Sequence, residues 1–336
     1  MACLAIGVDL GGTNLRVAAV TGTGQTLEVL RSATPLSLGR EYVIEEIAAE
    51  VRTLAQKFRA AHRLMGIGIG VPGILDLASG TLHSAANLPG WDHYPVRAIL
   101  EEKLGVPVVL ENDANCAALG EKWLGAGRDV EDLCMLTLGT GVGGGFVFNG
   151  RPWHGMAGMA GEIGHMTVIP EGAACGCGNR GCLEQYASAT AVVRLASEMI
   201  AQGKAPRLQR ALKQTGPLTS RTVFEAARQG DATALEIFDV VGRALGIVLA
   251  NLVNALNLPL YVIGGGLAEA WEVFSPALFR ELHHRSVVFS AGENGGAGLR
   301  ATRIVPAELH ESAGLLGAAR LPMLLEKSCN FRSLAV

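Results

Sequence analysis

Four side chains that bind transition metals lie close together near the middle of the chain. His165 is followed by Cys175, Cys177 and Cys182, and the glycines between the cysteines permit a tight loop. Three thiolates and one imidazole complete the tetrahedral shell of a structural zinc ion. The alternative is an ordinary loop that carries reduced cysteines. Because this density of cysteines in a chain without a secretory signal is typical of a metal site, we predict a structural Zn²⁺ ion held by these four residues.

Three glycine-rich turns, each after an apolar stretch, have the composition of phosphate-binding loops. They are Asp9-Leu10-Gly11-Gly12-Thr13, the segment 139–145 that opens with Gly139, Thr140 and Gly141, and Gly264-Gly265-Gly266. Glycine allows backbone N–H groups to approach a phosphate closely, and threonine adds a hydroxyl donor. One such turn alone is more typical of a simple hairpin, but three in one chain favour phosphate binding. None of them matches the Gly-Lys-Ser/Thr pattern, so a P-loop enzyme is not expected.

Asp9 stands at the end of the first apolar stretch, beside the first of these turns. A carboxylate in this place could hold a water molecule bound to Mg²⁺ next to the phosphates. We therefore predict that Asp9 acts together with the turn that follows it.

Two polar residues, Asn112 and Asp113, come shortly after a predicted strand at 106–110. A carboxylate at the carboxyl end of a strand is well placed to remove a proton from an alcohol that attacks a phosphoryl group. Asp113 could instead cap the helix predicted to start near Ala114, since Asp and Asn are favoured at that position. The two roles are compatible if one of the two residues caps the helix while the other acts as the base, and the residues alone leave these possibilities open.

Glu162 and Glu184 flank the predicted metal cluster. Each could be a solvated surface carboxylate, but together they would offer acceptors to sugar hydroxyls if the zinc loop faced the substrate. The other histidines have no neighbourhood that distinguishes them, and we interpret them as surface or structural residues. They are His62, His83, His93, His154, His283, His284 and His310.

Composition restricts the kind of protein that holds these residues. The chain has 336 residues, of which 49% are hydrophobic and 18% charged, enough for two lobes. A net charge of −3 without a run of Lys or Arg argues against a nucleic-acid partner. The first apolar stretch, Cys3 to Val8, is too short to span a membrane and lacks the features of a secretory signal. We therefore expect a cytoplasmic protein with no membrane partner.

Apolar patterns predict the strands and helices that carry these residues. Strands at 4–9 and 15–20 enclose the first glycine turn, and strands at 133–138 and 146–149 enclose the second, which makes a weak internal repeat. Further strands are predicted at 25–34, 65–71, 106–110, 260–263 and 300–305, and helices at 40–62, 96–104, 189–202, 220–229, 232–256 and from about 312. No low-complexity linker divides the chain, so we expect it to cross between its lobes more than once.

The order and spacing of the motifs resemble the ROK family of sugar kinases and repressors, and most of all its bacterial glucokinases. The resemblance runs from about Ala5 to Gly317. Each motif alone is modest support, but in this order the set is highly specific. The motifs are Asp9-Leu-Gly-Gly-Thr13, Asn87-Leu-Pro-Gly-Trp91, Glu111-Asn-Asp113, Leu138-Gly-Thr-Gly-Val-Gly-Gly-Gly145, Glu162-Ile-Gly-His165 and Cys175-Gly-Cys-Gly-Asn-Arg-Gly-Cys182-Leu-Glu184.

This resemblance implies an α/β fold of the actin-like ATPase (ribonuclease H-like) type, with two lobes around a central cleft. Residues 1–112 plus about 310–336 would form the small lobe, and 113–309 the large lobe with the zinc-binding loop. The implied reaction is ATP-dependent phosphorylation of a hexose, most of all glucose, at its 6-hydroxyl, with Mg²⁺ bound to the ATP and Asp113 as the catalytic base.

The resemblance also implies a role for each matching residue. His165 would bind zinc through one ring nitrogen and face the sugar with the other, so that zinc supports the sugar site without acting on the sugar. The sugar-binding residues would be Gly73, Asn87, Asn112, Asp113, Glu162, His165 and Glu184. The residues for ATP and Mg²⁺ would be Asp9, Gly11, Gly12, Thr13, Gly139, Thr140, Gly141, Gly264, Gly265 and Gly266.

Alternatives concern the substrate and the class of protein. The stretches Asp9–Ala18 and Asn112–Leu119 also look like N-acetylmannosamine kinases of the family, and an N-acetylglucosamine kinase is a further alternative. A sugar-sensing repressor would carry a DNA-binding domain before the first strand, where only three residues stand, so it is not expected. An ATPase without a sugar substrate does not explain Glu162 and Glu184. Relatives are commonly dimers or tetramers, so we expect a homo-oligomer.

Overall fold

A computed structural model describes residues 1–85, 87–293 and 301–332 of the chain, except for the side chains of 211–215 and 326–332. The described residues form two compact units. The first unit contains Met1–Met135, Gly145–Gly161 and the residues from Glu308 onward, and the second contains Leu136–Gly144 and Glu162–Ala307. The chain therefore crosses between the units more than once, as predicted.

The strands and helices have the following bounds. The strands are β1 (Ala2–Leu10), β2 (Asn14–Thr21), β3 (Thr26–Ala33), β4 (His62–Val71), β5 (Ile74–Asp76), β6 (Thr81–Ser84), β7 (Val108–Asn112), β8 (Leu133–Leu138), β9 (Val142–Phe148), β10 (Arg151–Pro152), β11 (Leu260–Gly264) and β12 (Arg303–Pro306). The α-helices are α1 (Arg40–Phe58), α2 (Val96–Leu104), α3 (Asp113–Leu124), α4 (Glu184–Ala187), α5 (Ala189–Ala201), α6 (Pro206–Thr215), α7 (Ser220–Arg228), α8 (Ala232–Leu256), α9 (Trp271–Arg285), α10 (Val287–Glu293) and α11 (Ser312–Arg332). Short 3₁₀ turns occur at Leu36–Leu38, Ile163–His165 and Gly266–Ala270.

A five-stranded sheet in the order β3-β2-β1-β4-β7 forms the centre of the first unit. Strand β1 runs antiparallel to β2 and parallel to β4, and β4 runs parallel to β7. In this register Asp9 lies beside Gly70, and Gly70 lies beside Glu111. Because the carboxyl ends of parallel strands meet at one edge, Asp9 and the residues after β7 belong to the same edge of the sheet.

Helix α1 covers one face of this sheet. Its buried residues Val43, Ile47, Val51 and Leu54 recur at helical spacing and belong to the same apolar cluster as the side chains of β1 and β4. Burying a side chain of this size contributes about 1.5–3 kcal/mol.

Helix α11 packs closely on the sheet and on α3. A Cβ atom added to Gly68 of β4 would lie 1.8 Å from the carbonyl oxygen of Ala318, and one added to Gly317 would lie 1.7 Å from that of Cys116 in α3. Glycine at both positions therefore allows two backbones to meet without an intervening side chain.

The second unit is mainly helical. The long helix α8 has a buried apolar stripe, and α9 approaches it closely at Gly242, where a Cβ atom would lie 2.2 Å from the carbonyl oxygen of Phe274. Strand β11 is buried along its whole length and pairs in parallel with β12. Both belong to a second five-stranded sheet, in the order β10-β9-β8-β11-β12.

The structure differs from the predicted elements in several places. The helix predicted at 40–62 ends at Phe58, because β4 extends its pairing with β1 back to His62, opposite Ala2. The turn predicted at 139–145 is shorter, since β9 begins at Val142. The glycine at 145 is explained by packing, because a Cβ atom there would lie 2.8 Å from the carbonyl oxygen of Ala114. The sequence does not predict β5, β6, β10, α4, α6, α9 and α10.

Some predicted boundaries are not decided by the described residues. The strand predicted at 300–305 begins at Arg300, which lies outside them, and β12 begins at Arg303. The predicted lobes also include 294–300 and 333–336, which lie outside them. The two compact units assign 113–135 and 145–161 to the first unit, whereas the predicted large lobe includes both. The predicted lobe division stays a prediction.

No helix among the described residues is both long enough and apolar enough to cross a membrane.

We expect Gly317→Ala to destabilise the first unit. Alanine is the better helix former by about 1 kcal/mol, but its Cβ atom would meet the backbone of α3, and overpacking of this kind costs roughly 1–3 kcal/mol. Urea unfolding followed by circular dichroism measures the difference. The matched control is Gly22→Ala, where the added Cβ atom would lie 3.5 Å from that of Cys3, an ordinary contact. Equal unfolding midpoints for the two variants would contradict the packing of α11 on α3.

Candidate active site

The carboxyl edge of the first sheet carries the predicted catalytic residue. Strand β7 ends at Asn112, and α3 begins at Asp113 without an intervening loop. Asp113 is exposed, whereas Glu111, two residues earlier, is buried. The strand register places Glu111 opposite Gly70, on the strand next to Asp9. An exposed carboxylate at this edge can be reached by a substrate hydroxyl.

Asn112 is the residue that caps α3. Its Oδ1 accepts hydrogen bonds from the backbone N–H groups of Ala114, at 2.9 Å, and Asn115, at 3.3 Å. The N–H group of Ala114 is also 2.9 Å from Oδ1 of Asp113. The possibility that Asn112 caps while Asp113 remains at the first helical position is therefore the one observed. A carboxylate at that position is favoured by the helix dipole.

Glu111 is the centre of a buried polar network that the sequence did not reveal. Its Oε2 lies 2.6 Å from Nε2 of His154. Its Oε1 accepts from the backbone N–H of Asn112 at 2.9 Å and from Nδ2 of Asn115 at 3.0 Å. The hydrogen bond with Glu111 raises the pKa of His154. The sequence predicts only a surface or structural role for His154, because no local pattern connects it to Glu111.

Asp9 is paired with Arg16 across β1 and β2. The Arg16 guanidinium contacts Oδ2 of Asp9 and also donates to the carbonyl oxygen of Glu311 at 2.7 Å. A Cβ atom added to Gly314 would lie 3.6 Å from Oδ2 of Asp9. The oxygen donors of Asp9 fit a hydrated Mg²⁺ ion, which prefers carboxylate and water ligands.

The first glycine turn lies against a predicted sugar-binding residue. The N–H of Gly11 donates to the carbonyl oxygen of Asn14 at 2.9 Å, which closes the turn around Gly12 and Thr13. A Cβ atom on Gly12 would lie 2.7 Å from the carbonyl oxygen of Asn87 and 3.2 Å from its Cβ. Asn87 and Thr13 are exposed. The fold thus brings a predicted phosphate turn next to a predicted sugar ligand within the first unit.

Gly73 lies close to Asn112. Its φ angle is +102°, and a Cβ atom would lie 2.2 Å from the carbonyl oxygen of Ser84, so a larger residue is excluded. Nδ2 of Asn112 is 3.4 Å from the carbonyl oxygen of Gly73. These two predicted sugar-binding residues are therefore neighbours.

The second glycine turn contacts Glu184 within the second unit. The N–H of Gly139 donates to the carbonyl oxygen of Gly141 at 2.9 Å, and Thr140 at the tip is exposed. The N–H of Val142 donates to Oε2 of Glu184 at 3.0 Å. A Cβ atom on Gly141 would lie 2.2 Å from the same oxygen. Glu184 is thus a half-buried, hydrogen-bonded carboxylate and not a freely solvated one.

The third glycine turn follows β11. Gly264 is the last residue of the strand, and Gly265 has a φ angle of +84°. A Cβ atom on Gly265 would lie 2.4 Å from the carbonyl oxygen of Leu138 in the neighbouring strand. Gly266 has open space on its Cβ side, so its backbone can be approached by a ligand.

The four predicted metal ligands converge. One donor atom from each of His165, Cys175, Cys177 and Cys182 lies within 4.8 Å of all the others. The sulfurs of Cys177 and Cys182 are 3.7 Å apart, and Nδ1 of His165 is 3.6 Å from the sulfur of Cys175. A tetrahedral zinc ion with Zn–S of about 2.3 Å and Zn–N of about 2.0 Å has edges of about 3.8 Å and 3.6 Å. The donor set fits zinc in both chemistry and spacing.

The surroundings of the thiols also favour a cation. Burial, together with the neighbouring thiols, raises the pKa of Cys182 to about 12. The backbone N–H of Asn179 lowers the pKa of Cys177, and so does the thiol of Cys175. Ionisation of the Cys182 thiol at neutral pH therefore requires a bound cation to compensate its charge.

Glu162 stands on the other side of the His165 ring. Its Oε2 is 3.7 Å from Nε2, while Nδ1 faces Cys175. Both side chains are partly exposed, so the pair adds little stability. One ring nitrogen of His165 thus faces the metal cluster and the other faces Glu162. The role of the second nitrogen toward the sugar stays a prediction.

The predicted site residues are divided between the two units. The first unit holds Asp9, Gly11, Gly12, Thr13, Gly73, Asn87, Asn112 and Asp113. The second holds Gly139, Thr140, Gly141, Glu162, His165, Cys175, Cys177, Cys182, Glu184, Gly264, Gly265 and Gly266.

Comparison with known proteins shows the family and the fold of the chain. A protein-family model described as ROK family matches residues 5–323. A glucokinase of Halalkalibacterium halodurans is 44% identical over 79% of this chain and 81% of its own. The structure of a ROK hexokinase from Thermus thermophilus is 36% identical, with a TM-score of 0.79 over 98% of this chain and 100% of its own. A ROK family glucokinase from Streptomyces griseus, solved with glucose and AMPPNP, is 35% identical, with a TM-score of 0.76 over 95% and 98%. These likenesses confirm the predicted actin-like α/β fold.

We expect Asn112→Ala to lower the free energy of unfolding by about 1 kcal/mol, because it removes the cap of α3. Asn112→Ser should keep most of the stability, since a hydroxyl oxygen can accept from the same N–H groups. Urea unfolding of both variants and of the unmodified protein measures the difference. Equal stability of the alanine and serine variants would show that the cap contributes nothing.

Proposed function

Because the chain belongs to the ROK family, we propose that it is a glucokinase, which transfers the γ-phosphoryl group of ATP to the 6-hydroxyl of glucose and releases glucose 6-phosphate and ADP. The observation that carries the proposal is the relative from S. griseus, solved with glucose and AMPPNP, which is 35% identical to this chain over 95% of its length. The relative from H. halodurans, at 44% identity, is also a glucokinase. The product would enter glycolysis.

Asp113 acts as the general base in the proposed reaction. It accepts the proton of the 6-hydroxyl as the oxygen attacks the γ-phosphorus, and the bond from that phosphorus to the bridging oxygen of ADP breaks. Its exposure and its place at the start of α3 support this role. Asn112 caps the helix, so the carboxylate of Asp113 is not required for that purpose.

Each unit holds polar groups that we propose for the binding of sugar hydroxyls. The first unit contributes Asn87, Asn112 and Asp113, with the backbone of Gly73 close to the sugar. The second unit contributes Glu162, Glu184 and the ring nitrogen of His165 that faces Glu162. The hydrogen bond from Val142 to Glu184 supports this assignment, because it fixes the orientation of that carboxylate.

ATP binds at the glycine turns. The first turn (Gly11, Gly12 and Thr13) and the second (Gly139, Thr140 and Gly141) present N–H and hydroxyl groups to the phosphates, and the turn at 264–266 lies against the adenosine. Mg²⁺ would neutralise charge on the transferred phosphoryl group. Asp9 would hold water of its hydration shell, while Arg16 limits the movement of the carboxylate.

His165, Cys175, Cys177 and Cys182 hold a structural zinc ion in this proposal. All four positions of the shell are filled by the chain, so zinc would supply rigidity and not Lewis-acid chemistry. It orients His165 and the short segment from Glu162 to His165.

The proposal also includes a cytoplasmic location and assembly into a homodimer or homotetramer, as is common among relatives. Sedimentation of the purified protein measures the assembly.

We expect glucose to be the best substrate. With Mg²⁺-ATP, kcat/KM for glucose should exceed that for mannose, fructose, N-acetylglucosamine and N-acetylmannosamine by about tenfold or more, which is about 1.4 kcal/mol of transition-state stabilisation. ADP release measured against this panel of sugars tests the proposal.

The control for this assay is Asp113→Ala, which should lower kcat by at least about a hundredfold because it removes the base. Its fold and ATP binding should remain. Retention of a tenth of the activity would remove Asp113 from this role. If kcat/KM were highest for an acetamido sugar, the kinase mechanism would stand and the proposed substrate would change. If no sugar stimulated ADP release, the proposal would be contradicted.

We expect the purified protein to contain about one zinc ion per chain and Cys177→Ser to lose at least about tenfold in zinc affinity. The loss should raise the KM for sugar and lower the thermal unfolding midpoint together, because zinc orients His165 and closes the loop. Metal analysis and thermal unfolding provide two readouts that do not depend on activity.

Cys3→Ser is the control for the zinc experiment, since Cys3 lies outside the cluster. It should keep its zinc. Absence of zinc from the unmodified protein would refute the assignment of the cluster.

A further inference from the structure

The buried carboxylate of Glu111 precedes the first turn of α3. Only 3% of Glu111 is exposed, and a buried carboxylate is costly unless its charge is compensated and its oxygens accept hydrogen bonds. Both oxygens of Glu111 do accept: Oε2 from His154, and Oε1 from Asn112 and Asn115.

Two of the donors enclose the proposed base. The backbone N–H of Asn112 comes directly before Asp113, and the side chain of Asn115 lies two residues after it. The Asn115 side chain is buried, and its Oδ1 has no hydrogen-bond partner among the described residues, so its contact with Glu111 is what orients it. Glu111 thus binds the backbone on one side of Asp113 and a side chain on the other.

His154 is itself held in position. It follows β10 and Trp153, whose N–H donates to the carbonyl oxygen of Phe146 at 2.9 Å and whose ring packs edge-on against Phe146 and Phe148. The carbonyl oxygen of His154 accepts from the N–H of Ala160 at 3.2 Å. The imidazole therefore reaches Glu111 from a segment fixed to β9, a strand that itself packs on α3 at Gly145.

We propose that His154 and Glu111 are positioning residues, which fix the first turn of α3 and thereby orient the Asp113 carboxylate toward the sugar hydroxyl. The proposal rests on the proposed role of Asp113 as base. The imidazole compensates the buried charge of Glu111, and Glu111 transmits that constraint through Asn112 and Asn115. Since neither His154 nor Glu111 contacts ATP or the sugar in this proposal, their loss should alter the chemical step more than binding.

The test compares His154→Ala, His154→Gln and the unmodified protein. We expect His154→Ala to lower kcat for glucose by about tenfold to a hundredfold, the scale on which a misplaced catalytic group acts, with the KM for glucose and for ATP changed less than about threefold. His154→Gln should recover kcat to within about threefold of the unmodified protein, because its amide can donate to Oε2 of Glu111.

Amide hydrogen exchange provides a readout that does not depend on activity. His154→Ala should speed exchange at least about tenfold at the N–H of Asn112, which Glu111 accepts directly, while the amides of β1 keep their protection. If the unmodified protein phosphorylates no sugar but this exchange still rises, the proposed function fails and the network stands. If exchange at Asn112 is unchanged, the network does not position α3, whatever the activity.

His283→Ala is the matched control. His283 also pairs with a carboxylate, that of Glu293 at 3.3 Å, but both side chains are about half exposed and belong to the second unit. It should leave kcat and the exchange at Asn112 unchanged.

Three kinetic outcomes would also overturn the proposal. In the first, His154→Ala keeps kcat within about twofold of the unmodified protein. In the second, KM rises as much as kcat falls, and in the third, the glutamine variant is no better than the alanine variant. Should the alanine variant fail to fold, Glu111→Gln removes the ion pair together with the buried charge, and the same loss of kcat at unchanged KM is expected of it.

Discussion

The close packing of α11 is the contact on which the candidate site of the first unit depends. Gly68 and Gly317 let α11 meet the sheet on one side and α3 on the other, at places where a Cβ atom would lie 1.8 Å and 1.7 Å from a backbone carbonyl oxygen. Backbone atoms cannot rotate away as side chains can, so this packing restricts where α3 lies relative to the sheet. Because α3 follows β7 without a loop, the same packing restricts Asn112 and Asp113 at the carboxyl edge of the sheet.

Both units use the same arrangement of a glycine turn against a polar side chain. In the first unit Gly12 lies against Asn87, and in the second Gly141 lies against Glu184. In each case a Cβ atom on the glycine would collide with its neighbour, a backbone oxygen in the first unit and the end of the Glu184 side chain in the second, so glycine permits the close approach. The weak repeat of strand, turn and strand in the sequence therefore corresponds to a repeated contact in the structure. It couples the positions of residues proposed to bind phosphate and sugar.

The sequence allowed prediction of those features that have local signals. The bounds of α2, β8 and α8 are as predicted, because their apolar patterns are continuous and their ends are marked by proline, glycine or asparagine. The metal cluster was equally local, since its ligand types and spacing leave few alternatives. The capping residue of α3 could not be chosen in advance, because Asn112 and Asp113 both favour that position and only the backbone conformation decides between them. The contact of His154 with Glu111 joins residues 43 positions apart and depends on how the segment after β10 packs, which no local pattern reports.

Buried carboxylates bind backbone or side-chain donors at both ends of α3. Glu111 holds the first turn, and Glu121, which is fully buried in the last turn, accepts N–H bonds from Ala126 at 2.8 Å and Leu309 at 2.8 Å. Buried charges of this kind often add no stability over apolar side chains of the same size. They do fix the orientation of the helix ends, since each carboxylate oxygen must meet its donors at a fixed distance and angle. Apolar packing would allow α3 to shift slightly along its axis at little cost, whereas hydrogen bonds at both ends oppose such a shift. If Asp113 acts as the proposed base, the first residue of this helix must meet a reacting hydroxyl to within about 0.5 Å, which needs that kind of constraint.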